Sequence, residues 1–177
     1  EVSIKNSYAF RVPPTSMVGD GIAAKIGDYL IRFNSKKVFI VTDKVIVKLG
    51  LLKPMLRSLE RRGIGYAIFD QVEPDPTDTV VEQGVSTLKQ CNCDTVVAFG
   101  GGSALDAGKA IAVYTSIPFN LNQSALDEML AIYRMPLIAV PTTAGTGSEV
   151  TDVSVITDTK THIKVPLAHP ALIPDMA

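Results

Sequence analysis

The chain is predicted to fold as an α/β domain, a mostly parallel sheet with helices on both faces and a small β-hairpin attached. Short apolar runs rich in β-branched and aromatic residues recur along it, continuous enough to be strands buried on both faces. Between them lie stretches whose apolar residues follow helical spacing. Near the end the pattern changes to alternation across a polar turn, the signature of a hairpin.

Taken in order, a first helix is expected over roughly 21–33, marked by Ile22, Ile26, Tyr29 and Leu30, with Asp20 as its N-cap. The first core strand follows over 37–42, after the Asn34-Ser35 turn. A helix carrying Leu52, Met55, Leu56 and Leu59 stops before Gly63, and a strand over 66–69 comes next. Val81, Val85 and Leu88 mark a further helix before Cys91. A strand at 95–99, a helix with Leu105, Ala110, Ile111 and Tyr114, and a strand at 137–140 continue the alternation. The stretch 117–124 is looser and suits a loop or short helix. Residues 153–156 and 163–165 pair across a turn at 158–161, and 7–12 is placed to add an edge strand.

The 177 residues are 46% hydrophobic, with 17 Lys+Arg against 18 Asp+Glu and a net charge of -1, so a folded core is expected rather than disorder. One domain over 1–177 is the default for this length. Without a basic block, a nucleic-acid module or a polybasic membrane anchor is disfavoured. No apolar run nears the ~18 residues of a membrane span, and residues 1–5 lack a signal-peptide layout, so a cytoplasmic protein is expected. The first residue is Glu1, not Met, which points to a piece of something longer. Cys91 and Cys93 read as reduced structural thiols.

Chemistry concentrates where strands end. The run Gly100-Gly101-Gly102-Ser103 closes one strand and opens the next helix, so backbone N–H groups and the positive helix end can meet an anion. The simpler reading is a tight turn with Ser103 as N-cap and Asp106 reaching back to it. Asp43 closes the first core strand, where a carboxylate can bind an adenosine ribose and repel a 2′-phosphate. It precedes the glycines instead of following them by about 20 residues, so Asp43 is either a helix cap or part of a different dinucleotide fold. The loop 141–151 packs Thr142, Thr143, Thr146, Ser148 and Thr151 among glycines with one carboxylate, Glu149, able to wrap ribose and phosphate oxygens or to serve as a surface connector.

These stretches, with Val41-Thr42-Asp43 and Pro74-Asp75-Pro76-Thr77 before them, resemble the iron-activated, or group III, alcohol dehydrogenases over essentially the whole chain. The resemblance implies a Rossmann-like amino-terminal domain that binds NAD. It implies that Asp43 meets the adenosine ribose, with Asp75 beside it where other members have Asn. Gly101, Gly102, Ser103 and Asp106 match the pyrophosphate loop, and Thr142, Thr143 and Thr146 the cofactor loop. Thr151 and Val153 lead toward the nicotinamide, and Lys164 matches a cofactor-contacting lysine. The family's Fe²⁺ or Zn²⁺ is held by Asp and His of a helical carboxyl-terminal domain that this chain lacks. His162 and His169 stand in no ligand pattern, and ordinary surface or hairpin roles are expected for them.

The resemblance thus implies an NAD-dependent dehydrogenase acting on a primary alcohol and its aldehyde, homo-oligomeric when complete. Its near relatives look like the ethanolamine- and propanediol-type enzymes, which adds a bacterial microcompartment to the cytoplasm as a setting. The rival readings are a glycerol-type dehydrogenase, a dehydroquinate-synthase-like NAD enzyme, and a stand-alone nucleotide-binding module without catalysis.

Overall fold

The computed structural model describes residues 11–129 and 132–177. Its centre is a four-stranded parallel sheet in the order β2-β1-β3-β4, made of β1 (Lys37–Val41), β2 (Gly65–Phe69), β3 (Thr95–Gly100) and β4 (Leu137–Pro141). Alternate residues of β1 explain why both faces are covered. Phe39 and Val41 face a core shared with α4 (Asp78–Cys91) and α5 (Gly102–Tyr114), through Val81, Leu88, Leu105 and Ile111. Val38 and Ile40 face the other core, with Leu30 of α1 (Ile26–Leu30) and Met55 and Leu59 of α3 (Lys53–Arg61). All six residues of β3 are buried, as a central parallel strand requires. Each large apolar side chain so buried contributes roughly 1.5–3 kcal/mol.

The hairpin of β5 (Val153–Thr157) and β6 (Lys164–Ala168) is antiparallel, with Ile156 opposite Val165. It lies on α5: Ser154 Oγ donates to the Asp106 carbonyl, and Ile156 and Leu167 join the α5 core. Two shorter expectations change. The helix expected over 21–33 is broken into a 3-10 turn at Ile22–Lys25, α1, and a second 3-10 turn at Ile31–Phe33. Gly21, in the left-handed region at φ 65°, takes the N-cap place instead of Asp20 and makes no side-chain cap. Two short helices, α2 (Lys44–Lys48) and α6 (Gln123–Asp127), fill connections, and α6 begins at the end of the stretch 117–124 for which a loop or short helix was expected. The edge strand expected at 7–12 falls largely outside the described residues, and Arg11 and Val12 are not strand.

Sheet order sets the position of the site. The chain leaves β1 for β2 on one side, then crosses to β3 on the other side of β1. The carboxyl ends of β1 and β3 therefore diverge, leaving the crevice at which open α/β sheets bind ligands.

Candidate functional site

That crevice is a cleft of about 440 Å³ whose walls include Asp43, Lys44, Asp70, Glu73, Gly101 and Thr143. At its floor the chain turns from β3 into α5. Gly100 adopts φ 151°, which other residues rarely do, and a Cβ there would stand 2.8 Å from that of Ala104. Gly101 is the N-cap of α5, with ordinary extended backbone, and Ser103 sits inside the first turn. The Ser103–Asp106 capping arrangement is thus replaced by a glycine start without a side-chain cap. The first helical hydrogen bond runs from Leu105 N–H to the Gly101 carbonyl at 3.1 Å. The amides of Gly102, Ser103 and Ala104 precede it and lack helical partners, as at any helix start.

A Cβ on Gly101 would lie 3.2 Å from Thr143 Oγ1, and one on Gly102 would lie 3.6 Å from Thr146 Cβ and 3.7 Å from Ser148 Oγ. A side chain at Gly101 would crowd Thr143 and one at Gly102 would touch Thr146 and Ser148, so the glycines leave the backbone amides of the turn uncovered beneath the loop after β4. Thr142 N–H anchors the loop's near end on the Gly100 carbonyl at 2.9 Å. Within it, Gly145 and Gly147 adopt φ 84° and 69°, and Thr146 Oγ1 donates to Glu149 at 2.8 Å. Farther back, Gly108 lets α5 lie against β3: a Cβ there would come within 2.5 Å of that of Ala98.

Asp43 serves two neighbours. Its Oδ1 caps α2 by accepting from Ile46 N–H at 2.9 Å, while Oδ2 lies toward the glycine turn, 3.7 Å from a Cβ built on Gly100. Asp75, at φ 58°, pairs with Lys164 Nζ at 2.6 Å, both side chains more than half exposed. Two residues read separately in the sequence thus meet, in a pair exposed enough to open toward a ligand.

Asp106 is not among the residues that wall the cleft. Its carboxylate accepts from Val155 N–H at 3.1 Å, and Lys109 Nζ lies 4.0 Å off. Oδ1 makes no hydrogen bond of normal geometry. Burial raises the Asp106 pKa above the usual carboxylate value, against the Val155 amide, the Lys109 charge and the Ser148 hydroxyl. Thr151 and Val153 both face Lys109, which donates to the Thr151 hydroxyl at 3.4 Å and to the Val153 carbonyl. Lys109 escaped the sequence reading, although a lysine amid Ala107, Gly108, Ala110, Ile111 and Ala112 was the available signal.

His162 is in the hairpin turn at φ 58°, but His169 is buried rather than on the surface. Its Nδ1 accepts from Ala171 N–H, and Nε2 bonds the Met129 carbonyl. Cys91 and Cys93 are free thiols, and burial pushes Cys93 up to about 11, far from a reactive thiolate. Among the described residues no three His, Cys, Asp or Glu side chains gather as a metal-ligand group. No helix among them is long and apolar enough to cross a membrane.

A second groove, of about 380 Å³, is walled by Met17, Ile22, Tyr29, Ile138, Val140 and Met176. Its apolar lining offers little to a phosphate.

The family model for iron-containing alcohol dehydrogenases matches residues 13–177. The chain belongs to that family. It is 37% identical over 168 residues to the NAD-dependent methanol dehydrogenase of Bacillus methanolicus, covering 95% of this chain and 44% of that protein. It is also 37% identical to the probable alcohol dehydrogenase EutG of Salmonella typhimurium, over 99% of this chain and 45% of that one. Among solved structures it superposes on a 1,3-propanediol oxidoreductase with a TM-score of 0.88 at 34% identity, covering 97% and 45% of the two chains. It matches the sulfoacetaldehyde reductase of Bifidobacterium kashiwanohense, solved with NAD+, with a TM-score of 0.84 at 31% identity over 97% and 46%. The chain therefore spans about half the length of these family members.

Proposed function

We propose that this chain is the nucleotide-binding part of an NAD-dependent alcohol dehydrogenase that interconverts a primary alcohol and its aldehyde. The observation that carries the reading is the bare-backbone cradle of Gly101 and Gly102 at the start of α5, set in the crevice between β1 and β3. Two of its relatives, an NAD-dependent methanol dehydrogenase and a sulfoacetaldehyde reductase solved with NAD+, support the same cofactor.

NAD fits the residues present. The amides of Gly102, Ser103 and Ala104 would face its pyrophosphate, where a helix N-terminus stabilises negative charge. Asp43 Oδ2 would accept from the adenosine ribose, and Thr142, Thr143 and Thr146 would close the loop over the phosphates. Asp106 belongs to this set as the residue seating the hairpin on α5, while Thr151, Val153, Lys164 and Asp75 line the path beyond. When bound, NAD supplies the hydride acceptor. The chain's own residues bind and orient it and shield it from water.

The described residues do not fit the Fe²⁺ or Zn²⁺ of such an enzyme, so the metal and the alcohol pocket are assigned to residues outside this chain. The same reading includes a homo-oligomeric complete enzyme. A cytoplasmic or bacterial-microcompartment setting rests on the resemblance to the ethanolamine-type enzymes.

The reading is tested by titrating NADH, followed by its own fluorescence, into the wild type and Gly101→Val. The variant should bind at least tenfold more weakly with an unchanged far-UV CD spectrum. Equal binding by a folded variant places the nucleotide elsewhere.

A further inference from the structure

We propose that Lys109 is a positioning residue for the nucleotide: its buried ammonium group seats the far end of the loop 142–153 against α5, so that the cradle is shaped before a ligand arrives. This rests on the reading of the cleft given above. Lys109 is 0% exposed in the middle of α5. A buried ammonium needs partners for its three donors, and the three groups that accept hydrogen bonds from it lie on one short segment. It donates to the Ser148 carbonyl at 2.9 Å, the Thr151 hydroxyl at 3.4 Å and the Val153 carbonyl. Carboxylates at Asp106, Glu149 and Asp152 add favourable charge around it.

The segment depends on that anchor. Thr142 and Thr143 are exposed, and Gly145 and Gly147 give the loop backbone freedom. Its near end is fixed by Thr142 on Gly100, its far end by Lys109. Between the two anchors lie Thr143, Thr146 and Ser148, whose side chains stand within 3.2–3.7 Å of the Cβ positions of Gly101 and Gly102. Release of the Ser148 carbonyl moves the wall of the cradle itself. A lysine that only held the fold together would affect stability and leave the affinity of the folded protein alone.

Lys109→Met keeps the apolar stem and removes the donors, and two readouts separate the claims. Hydrogen exchange without nucleotide should rise at least tenfold over 142–153, and NADH should bind at least tenfold more weakly. Arg134→Met serves as control. It removes a different cation, one that clasps Asp175 at 2.6 Å and the carbonyls of Ala171 and Ile173. It should lower Tm while leaving NADH affinity within twofold. Unchanged loop exchange in Lys109→Met overturns the proposal, as does a loosened loop with unchanged affinity, or an equal loss of affinity in Arg134→Met. If Lys109→Met does not fold, Lys109→Arg decides: it keeps the charge but displaces the donors, and should loosen the loop and weaken binding about threefold. Wild-type exchange or wild-type affinity in Lys109→Arg would then overturn the proposal. A wild type that binds no NADH refutes the reading of the cleft, and the nucleotide role of Lys109 with it. The exchange data alone still report whether the anchor exists.

Discussion

At the residue scale, Asp43 is both a helix cap and a candidate ribose ligand, through different oxygens. The alternatives posed by the sequence are therefore compatible. Asp43→Gly should narrow the ratio of NADH to NADPH affinity by about tenfold, or ~1.4 kcal/mol. It should narrow rather than invert, because Asp70 and Glu73 also line the cleft and keep it anionic. Tm should fall little, since glycine in place of a capping side chain costs only a few tenths of a kcal/mol. Paired fluorescence titrations check the ratio, and an unchanged one leaves Asp43 as a cap alone. Lys109 makes a separate prediction about pH. Burial pulls its pKa from 10.5 to about 8, so the folded protein is penalised while the group is charged in both states. Between those values the unfolded chain still holds a proton the folded chain has released, and stability relative to Lys109→Met rises with pH. Urea denaturation of both proteins at pH 7.5 and pH 10 tests the sign.

At the scale of elements, α5 is where the fold and the site share residues. Gly108→Ala should destabilise the protein by about 1–3 kcal/mol, because the new methyl meets Ala98 at 2.5 Å and nothing there is a flexible chain end. Gly101→Val differs in kind: the backbone there is ordinary, and the nearest neighbour is a threonine hydroxyl that can turn aside. Thermal denaturation should separate the two variants, with a lowered Tm only for Gly108→Ala. The strands were legible because buried parallel strands are continuous apolar runs, and Val38, Phe39, Ile40 and Val41 form one. The first helix was less so. Its apolar spacing at Ile22, Ile26 and Leu30 is helical, but spacing does not report whether turns close as 3-10 or α, and Gly21 took the cap from Asp20 by adopting a positive φ. At the glycine turn, local capping preference favoured Ser103, and the φ of 151° that Gly100 adopts moved the helix start ahead of it.

On the scale of the whole molecule, the proposed division of labour gives the nucleotide to this chain and leaves metal and alcohol to residues outside it. Purified 1–177 should therefore give no alcohol-dependent NADH formation with Fe²⁺ or Zn²⁺ added, and metal-stimulated turnover would refute that division. The candidate cleft was readable because Asp43, the glycine turn and the loop after β4 each follow a strand end, and the sheet order brings those ends together. The pairing of Asp75 with Lys164 and the anchoring of the loop by Lys109 were not, since both join residues distant in sequence through side chains alone. The crevice between β1 and β3 is the proposed nucleotide site, and the apolar groove near Met17 and Met176 is the cleft to test it against. Hydrogen exchange of 1–177 with and without ADP-ribose distinguishes them most directly. Protection should concentrate at 43–46, 70–74, 100–105 and 142–149. Protection centred on 17–29 and 138–140, or none at saturating ADP-ribose, would contradict the central claim.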